Sequence, residues 1–326
     1  MKRNSRRMTS QSKSSCGVAL SLSLTLLCFA SLPLGDLSAE RLRAIAALSP
    51  LPRCSSGPRL LVLVQCSTEP IYLTQRAIWR LMARSHSCVH VVFLWDAADS
   101  SAGAGALAAG APRLVGADLF VPNAAGLTPG VHRKIIAGLR EYAADLAPGD
   151  ARGDPLSLDA SFRNDGAVRS NAFRGFTPRS RFDFVLRTNL SSFWVWARFL
   201  LWIAASGMPR SGAYAGVVYS VPEAPVFTSG AGTLMSADVA LLLLRHNNSL
   251  DFTLYDDVAI GKLMAELGVK ALPMTRKDYV DECLDLPMQL DDGSAYHFRV
   301  KCHNRVRDDA SAFARLYAEI YGEGEM

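Results

Sequence analysis

The chain has 326 residues, of which 49% are hydrophobic, so it is long and apolar enough to bury a large core. Its net charge is +5, and that excess is matched by the cations at its start, Lys2, Arg3, Arg6, Arg7 and Lys13. The remainder is close to neutral, which argues against a nucleic-acid partner.

An uncharged stretch follows this basic tail. Residues 16–35 contain no charged side chain over 20 positions. At about 1.5 Å per helical residue, that length spans the core of a bilayer. With the cations of residues 1–15 before it, the stretch predicts a transmembrane signal anchor that keeps the N-terminus cytoplasmic and places the rest in the lumen. A cleaved signal peptide is the alternative, since small residues such as Ala39 lie near its end.

The composition after the anchor indicates a stem and then a folded lumenal domain. Residues 36–58 end in a run rich in Pro, Ser and Gly, which is typical of a linker, and we expect the folded domain over 59–326. An oxidising lumen permits disulfides among the five cysteines beyond the anchor. We leave their pairing open, except that Cys66, on an apolar strand, is the expected free thiol.

The folded domain opens with alternating strands and helices. Residues 59–66 and 90–95 are continuous apolar runs, which predict strands buried in a parallel sheet. An amphipathic helix over 69–85 connects them, so the three elements predict a right-handed βαβ unit. A short strand over 119–121 and a helix over 131–145 are expected to follow.

A polar, Gly-rich loop predicted over 147–180 leads to the central strand of the domain. Residues 182–187 have a period of two, which predicts a mostly buried strand. A polar patch follows at 188–192, and an apolar run from Phe193 to Ile203 then predicts a helix. Open α/β sheets place ligand-binding groups at such carboxyl ends of strands, although an ordinary strand-to-helix turn has the same pattern.

Two further stretches with candidate functional residues follow a strand predicted over 214–219. Residues 226–238 predict a strand, a glycine-flanked turn and a helix start, where backbone approaches a ligand closely and helix amides favour anions or sugar hydroxyls. Residues 254–268 predict a helix that is opened by Asp256 and Asp257. Stabilisation of the helix dipole is the alternative role for both carboxylates.

The C-terminal part adds one more candidate. In the extended residues 296–301, His297, Arg299 and Lys301 share one face and apolar side chains share the other. We expect either a ligand-facing patch or a solvated strand edge there. Residues 305–321 predict a terminal amphipathic helix that packs on the sheet.

Five stretches together resemble the successive motifs of one protein family. In chain order they read QRAIWRLM (75–82), GLTPGVHRKIIAGLR (126–140), FVLRTNLSSF (184–193), FTSGAGTLMSAD (227–238) and YDDVAIGKLMAELGV (255–269). Over about residues 59–303 the chain resembles glycosyltransferase family 31, the β-1,3-galactosyl and N-acetylglucosaminyltransferases, including trypanosomatid members that use UDP-galactose or UDP-N-acetylglucosamine. The resemblance implies a Golgi type II membrane enzyme with a GT-A-like α/β fold, in which helices flank a mixed, mainly parallel sheet.

The resemblance assigns roles to individual residues by position. Arg76 is expected beside the nucleotide pocket, and Lys134 is expected to contact the diphosphate. In the family a carboxylate of the acidic pair deprotonates the acceptor hydroxyl, as an inverting transfer requires. That role falls to Asp257 as the first choice and to Asp256 as the second.

The chain departs from the family at its metal motif. Where the family has the aspartates of a DxD motif, this chain has Arg187, Thr188, Asn189 and Ser191, which we assign to donor binding. Hard cations on a diphosphate prefer carboxylate oxygens. Asn189 and Ser191, with His297 as a third contact, are therefore weak candidate ligands for Mn²⁺. Because a glycan on Asn189 would block the site, we predict that its glycosylation sequon is unused.

Three cations offer a route without a metal. Lys134, Arg187 and Arg299 would neutralise the leaving diphosphate through charge-assisted hydrogen bonds, and Gly230 and Gly232 are expected near the sugars. We therefore predict a Golgi hexosyltransferase that transfers galactose or N-acetylglucosamine from a UDP-sugar to a glycan, glycoprotein or glycolipid acceptor, with a β-glycosidic bond of the β-1,3 type. The alternative is a non-catalytic sugar-binding or assembly subunit derived from such an enzyme.

Overall fold

The computed structural model describes residues 54, 57–147, 182–221, 225–279, 290–302 and 309–322. All of them lie within one compact unit, Ile45–Met326. The basic tail, the anchor predicted over 16–35 and nearly all of the predicted polar loop lie outside the described residues. Within the described part of the chain, no helix is both long and apolar enough to cross a membrane.

The described residues form two sets of regular elements. The strands are β1 (Leu60–Gln65), β2 (Val89–Asp96), β3 (Arg113–Val115), β4 (Asp118–Val121), β5 (Phe184–Asn189), β6 (Ser192–Trp194), β7 (Tyr214–Tyr219), β8 (Phe227–Ser236), β9 (Ala271–Pro273), β10 (Lys277–Tyr279) and β11 (His297–Val300). The α-helices are α1 (Leu73–Met82), α2 (Ala104–Ala109), α3 (Gly130–Glu141), α4 (Ala143–Leu146), α5 (Trp196–Ala205), α6 (Ala237–Arg245), α7 (Asp256–Glu266) and α8 (Asp309–Tyr321).

The main sheet has eight strands in the order β3-β4-β2-β1-β5-β8-β7-β9. Strands β4, β2, β1 and β5 are parallel neighbours, and β9 is parallel to β7. Strand β8 runs antiparallel between β5 and β7, and β3 runs antiparallel to β4 at one edge. The predicted mixed α/β sheet, mainly parallel and flanked by helices, is confirmed.

Helices cover both faces of this sheet. Helices α1, α5 and α8 pack on one face, where they bury large side chains such as Trp79, Trp196 and Phe313. Helices α3, α6 and α7 pack on the other face. Because β1 is covered on both sides, its residues are apolar without alternation. The polar exception is Gln65, at its carboxyl end.

A small second sheet, β10-β11-β6, packs into the core of the first face. Strand β11 is its central strand, parallel to β10 and antiparallel to β6. The solvated edge considered for residues 296–301 is therefore wrong, because β11 has a neighbour on each side and both His297 and Phe298 are buried. Pairing with β11 also removes residues 193 and 194 from the helix that was predicted to begin at Phe193, and α5 begins at Trp196.

Strand β8 is extended from Phe227 to Ser236, so the glycine-flanked turn predicted within residues 226–238 is wrong. A bulge takes its place. Gly216 of β7 pairs with Thr233, whereas Val218, two residues further on, pairs with Thr228. Between these two pairs, β8 has more residues than β7, and the extra residues lie within 229–232. This stretch is the bulge of β8.

Two of the five cysteines that follow residue 35 pair close to the start of β2. Cys54 is disulfide-bonded to Cys88, and Cys302 is also disulfide-bonded. Cys66 is free and buried, as predicted. Burial raises the pKa of its thiol, so it stays protonated and acts as a small apolar residue.

Candidate functional site

The candidate site lies at the carboxyl edge of the main sheet, where the strand order changes direction. Strand β1 pairs with β2 on one side and with β5 on the other. Ligands of open α/β sheets bind in the crevice at such a switch. The strand ends there are Gln65, Asp96 and Asn189, and the antiparallel β8 brings its first residues to the same edge.

Arg187 and Asp256 form a buried ion pair near this edge. The Arg187 side chain is 6% exposed and contacts the carboxylate of Asp256, which is 13% exposed. Burial raises the pKa of Asp256, and the Arg187 charge opposes that rise. A Cβ at Gly230 would collide with the guanidinium. Arg187, which we expected to bind the donor, is thus engaged inside the protein, and Gly230 makes room for it.

Asp257 joins the start of α7 to the bulge of β8. Its Oδ2 accepts a hydrogen bond from the Gly230 amide at 3.0 Å, and its Oδ1 accepts one from the Val258 amide at 3.0 Å. The residue is partly exposed, and a carboxylate has about four lone-pair sites. Asp257 therefore binds an amide of the helix start and keeps acceptor capacity for a further proton donor.

Two buried polar residues near the ion pair were not singled out from the sequence. Gln65 lies at the end of β1, which pairs with β5, the strand that carries Arg187. His132 lies on α3. Among the described residues, neither the Gln65 amide atoms nor the His132 ring nitrogens have a hydrogen-bond partner, and Nε and Nη1 of Arg187 lack one too. Burial lowers the pKa of His132. The sequence could have indicated Gln65 as a candidate site residue, because it is the polar residue at the end of an otherwise apolar strand. No sequence pattern distinguishes His132 from the other residues of α3.

Lys134 and Arg76 lie by the carboxyl ends of β1 and β2. The Lys134 Nζ donates to the carbonyl of Cys66 at 3.3 Å, and burial lowers the pKa of this lysine. The Arg76 guanidinium lies 5.7 Å from the centre of the Trp95 ring. The structure thus brings both predicted donor-binding cations to the edge of the sheet where β1 ends.

The polar patch after β5 is used for internal hydrogen bonds. The Thr188 hydroxyl donates to the Ala231 carbonyl at 2.7 Å, and the Ser192 hydroxyl donates to the same carbonyl at 2.6 Å. Oδ1 of Asn189 accepts a hydrogen bond from Ser191 at 2.8 Å. Thr188 is fully buried, so its contacts hold β5 against the bulge of β8.

The three candidate metal ligands do not form a cation site. Oδ1 of Asn189 already accepts a hydrogen bond from the hydroxyl of the buried Ser191. His297 is stacked on Trp194 with ring centroids 3.7 Å apart, and a Cβ at Gly232 would lie 2.6 Å from its Cε1. Gly232 is therefore required by this stacking. No group of three or more histidine, cysteine, aspartate or glutamate side chains that could hold a metal ion occurs in the ranges that the structure describes. With Asn189 and His297 engaged in internal contacts, the residues at this turn do not fit Mn²⁺.

Two arginines lie near the stacked histidine. Arg276 donates to both carboxylate oxygens of Asp278, at 2.6 and 3.0 Å, and to the Ser229 hydroxyl at 2.9 Å. The Nε of Arg299 has no hydrogen-bond partner among the described residues. Burial and the two arginine charges hold the pKa of His297 well below its usual range. Arg276 was not predicted, because the short link between β9 and β10 has no pattern that marks it.

Comparisons with known proteins give no relative from which a role could be carried over. No protein-family model matches the chain, and no curated protein matches it. The function of the site therefore has to be argued from its geometry and from the sequence motifs.

Proposed function

We propose that the chain is a GT-A-like glycosyltransferase that transfers galactose or N-acetylglucosamine from a UDP-sugar to a glycan acceptor and forms a β-glycosidic bond of the β-1,3 type. The observation that carries this proposal is the placement of Asp257. The Gly230 amide holds this partly exposed carboxylate at the edge of the sheet where the strand order switches. The resemblance to glycosyltransferase family 31 supplies the reaction class.

The strand order supports the binding of a nucleotide at this edge. Strands β4, β2, β1 and β5 form a parallel set, and dinucleotides and mononucleotides bind at the carboxyl ends of such strands. Lys134 and Arg76 lie at the ends of β1 and β2. We place the nucleotide and its diphosphate there, within reach of these two cations.

Asp257 is the general base of the proposed transfer. The acceptor hydroxyl gives its proton to the Asp257 carboxylate while its oxygen forms a bond to the anomeric carbon of the donor. The bond from that carbon to the β-phosphate oxygen breaks in the same step, and UDP leaves with the electron pair. Because Asp256 is held by Arg187, Asp257 is the member of the acidic pair with acceptor capacity for this proton.

Cationic side chains stabilise the leaving group in this proposal. UDP gains negative charge as it departs, and positive groups that are fixed before the reaction stabilise that charge. Arg299 has an unpartnered guanidinium nitrogen among the described residues. Lys134 and Arg299 form the cationic set, whereas Arg187 and Arg276 are held by Asp256 and Asp278.

A location in the Golgi lumen, behind an anchor over residues 16–35, is part of the proposal. The disulfide between Cys54 and Cys88 supports an oxidising compartment. Residues 247–249, Asn-Asn-Ser, are a second glycosylation sequon. Its Asn247 is buried, and the side-chain amide donates to the Leu244 carbonyl at 2.6 Å. We therefore expect the Asn247 sequon, like that of Asn189, to carry no glycan.

A non-catalytic sugar-binding or assembly subunit is the second candidate. The observation that favours it is the turn after β5, where Asn189 and Ser191 stand in place of metal-binding carboxylates and bond to each other. A protein of this kind would bind UDP or a glycan and leave a UDP-sugar intact. Catalysis, rather than binding, separates the two candidates.

UDP binding by the purified full-length chain in detergent tests the proposed function. Isothermal titration calorimetry without added metal should show saturable binding, and Arg299→Gln should weaken it because a charge-assisted hydrogen bond to phosphate is lost. Lys270→Gln, at an exposed position after α7, is the matched control and should bind as the wild type does. Failure of the wild-type chain to bind UDP, with and without Mn²⁺, would contradict the proposal.

A further inference from the structure

A groove beside the start of α7 has no part in the base or in the cationic set described above. Its volume is about 330 Å³, and it is lined by Thr128, Thr253, Leu254, Tyr255 and Val258. Thr128 comes from the segment before α3, and the other residues surround the first turn of α7. The groove therefore lies at the first turn of α7, the helix that also carries Asp257.

The lining combines an exposed aromatic ring with available hydroxyl groups. Tyr255 is 64% exposed. Within the described part of the chain, the hydroxyls of Thr128 and Tyr255 make no hydrogen bond. The Thr253 hydroxyl donates to Asp251 and keeps its lone pairs as acceptors. Leu254 and Val258 supply the apolar part of the wall.

We propose that this groove binds one hexose ring of the glycan acceptor, with a C–H face of the ring on Tyr255 and its hydroxyls toward Thr128 and Thr253. A pyranose is apolar on its faces and polar at its rim, and a tyrosine beside threonines presents the matching surface. The volume lies at the lower end of the range of roughly 300–1,000 Å³ for ligand pockets, which suits a single ring. The inference rests on the proposed function, because the bound sugar is assigned as the acceptor on the ground that the start of α7 carries both the groove and Asp257.

Contacts in this groove act on acceptor affinity and leave the chemical step unchanged. None of the lining residues belongs to the proposed base or to the cationic set. A loss of interactions that are equal in the ground state and the transition state raises KM and leaves kcat unchanged. Truncation of Tyr255 should therefore raise the acceptor KM without changing kcat or UDP affinity.

Binding of simple glycosides to the full-length chain in detergent tests the groove directly. Saturation-transfer NMR titrations would use methyl β-D-galactopyranoside and methyl β-D-N-acetylglucosaminide. We expect one of them to bind, and Tyr255→Ala to weaken that binding about tenfold, as the loss of an aromatic platform predicts. Tyr255→Phe keeps the ring and should stay within about threefold of the wild type, since one hydrogen bond contributes little net affinity. Leu201→Ala is the matched control: it truncates a side chain that is 70% exposed on the opposite face of the sheet, and it should bind the glycoside as the wild type does.

The outcomes separate the groove from the proposed function. If neither glycoside binds, or if Tyr255→Ala binds as the wild type does, the groove proposal is overturned even where UDP binding and transfer are observed. If a glycoside binds through Tyr255 while UDP does not bind, the groove stands and the transferase proposal fails. Near-ultraviolet circular dichroism of Tyr255→Ala, expected to match the wild type because the side chain is exposed, checks that the variant is folded.

Discussion

Arg187 and Asp256 set the geometry of the acidic pair at the scale of single residues. A buried ion pair gives little net stability, because the cost of removing two charges from water offsets their attraction. Here the pair also fixes its surroundings: Gly230 leaves space for the guanidinium and gives its amide to Asp257. One arginine that we expected to bind the donor thus orders the carboxylates instead.

Replacement of Arg187 should be far more damaging than replacement of both members of the pair. Arg187→Met leaves Asp256 buried without its partner, and we expect it to lower the free energy of unfolding by about 3–5 kcal/mol. The double variant Arg187→Met/Asp256→Asn removes the unpaired charge and should recover most of that loss. Urea denaturation of both variants measures the difference. Equal instability of the single and double variants would show that the arginine acts by packing alone.

Asp257→Asn separates the catalytic role of this residue from its capping role. The change keeps the size and an acceptor oxygen but removes the proton acceptor, so transfer should fall by about 10²–10⁴-fold. UDP affinity should stay close to that of the wild type, and the free energy of unfolding should fall by about 1 kcal/mol, because asparagine can accept only one of the two amide hydrogen bonds. Asp292→Asn, at a carboxylate with a 59% exposed side chain, is the matched control. A poorly folded Asp257→Asn with normal activity per folded molecule would establish capping as the only role.

At the scale of elements, the long apolar runs, the amphipathic helices and the short strand over 119–121 could be predicted, whereas β6 and the bulge of β8 could not. Residues 59–66 and 90–95 predict β1 and β2 because burial on both faces leaves a continuous apolar pattern, and the period of two in residues 182–187 predicts β5. Strand β6 exists only because β11, about a hundred residues later, pairs with it. Likewise, the bulge of β8 depends on its register with β7, which the local pattern of residues 226–238 does not contain.

The two glycines of the β8 bulge should respond differently to alanine. At Gly232 a Cβ would lie 2.6 Å from His297 and 2.8 Å from Trp194, so Gly232→Ala should cost about 1–3 kcal/mol by overpacking. At Gly230 a Cβ would collide with the Arg187 guanidinium. Relief of that collision would shift the Gly230 backbone, whose amide donates to Asp257.

Gly230→Ala should therefore lower activity per folded molecule, whereas Gly232→Ala should lower stability alone. Thermal unfolding and transfer assays, normalised to the folded fraction, measure the two effects separately. Equal specific activities of the two variants would contradict the role that we give to the Gly230 amide.

For the whole molecule, the sequence located the edge of the sheet but not the roles of the residues there. Asp257, Lys134 and Arg76 lie near the carboxyl ends of the parallel strands or near the bulge of β8. Arg187, Thr188 and the two glycines are instead held by internal contacts. A residue's type and position along a strand indicate which edge it reaches. Whether its side chain meets solvent or another side chain depends on partners distant in the sequence.

Buried histidines should make the stability of the whole molecule depend on pH. Burial lowers the pKa of His90 to about 4 and also lowers the pKa values of His132 and His297. Below about pH 6.5 the unfolded chain binds protons at these positions while the folded protein stays neutral, so stability falls as the pH drops from about 6.5 toward 4.

Each such histidine contributes at most about 1.4 kcal/mol per pH unit in that window. Urea denaturation at several pH values should therefore show a fall in stability below neutrality. His90→Gln should reduce the slope of the free energy of unfolding against pH by the contribution of one proton, about 1.4 kcal/mol per pH unit at most. An identical pH dependence of the variant and the wild type would contradict the assignment for His90.

The most direct measurement of the central claim is sugar transfer by the full-length chain in excess EDTA. Radiolabelled UDP-galactose and UDP-N-acetylglucosamine would each be incubated with the glycoside that binds the protein, and the products analysed for an inverted, β-linked sugar. We predict that one donor gives this product, that Mn²⁺ is not required, and that Asp257→Asn gives none above background. Absence of any transferred sugar from both donors, with and without Mn²⁺, would contradict the claim and leave the non-catalytic subunit as the account of the protein.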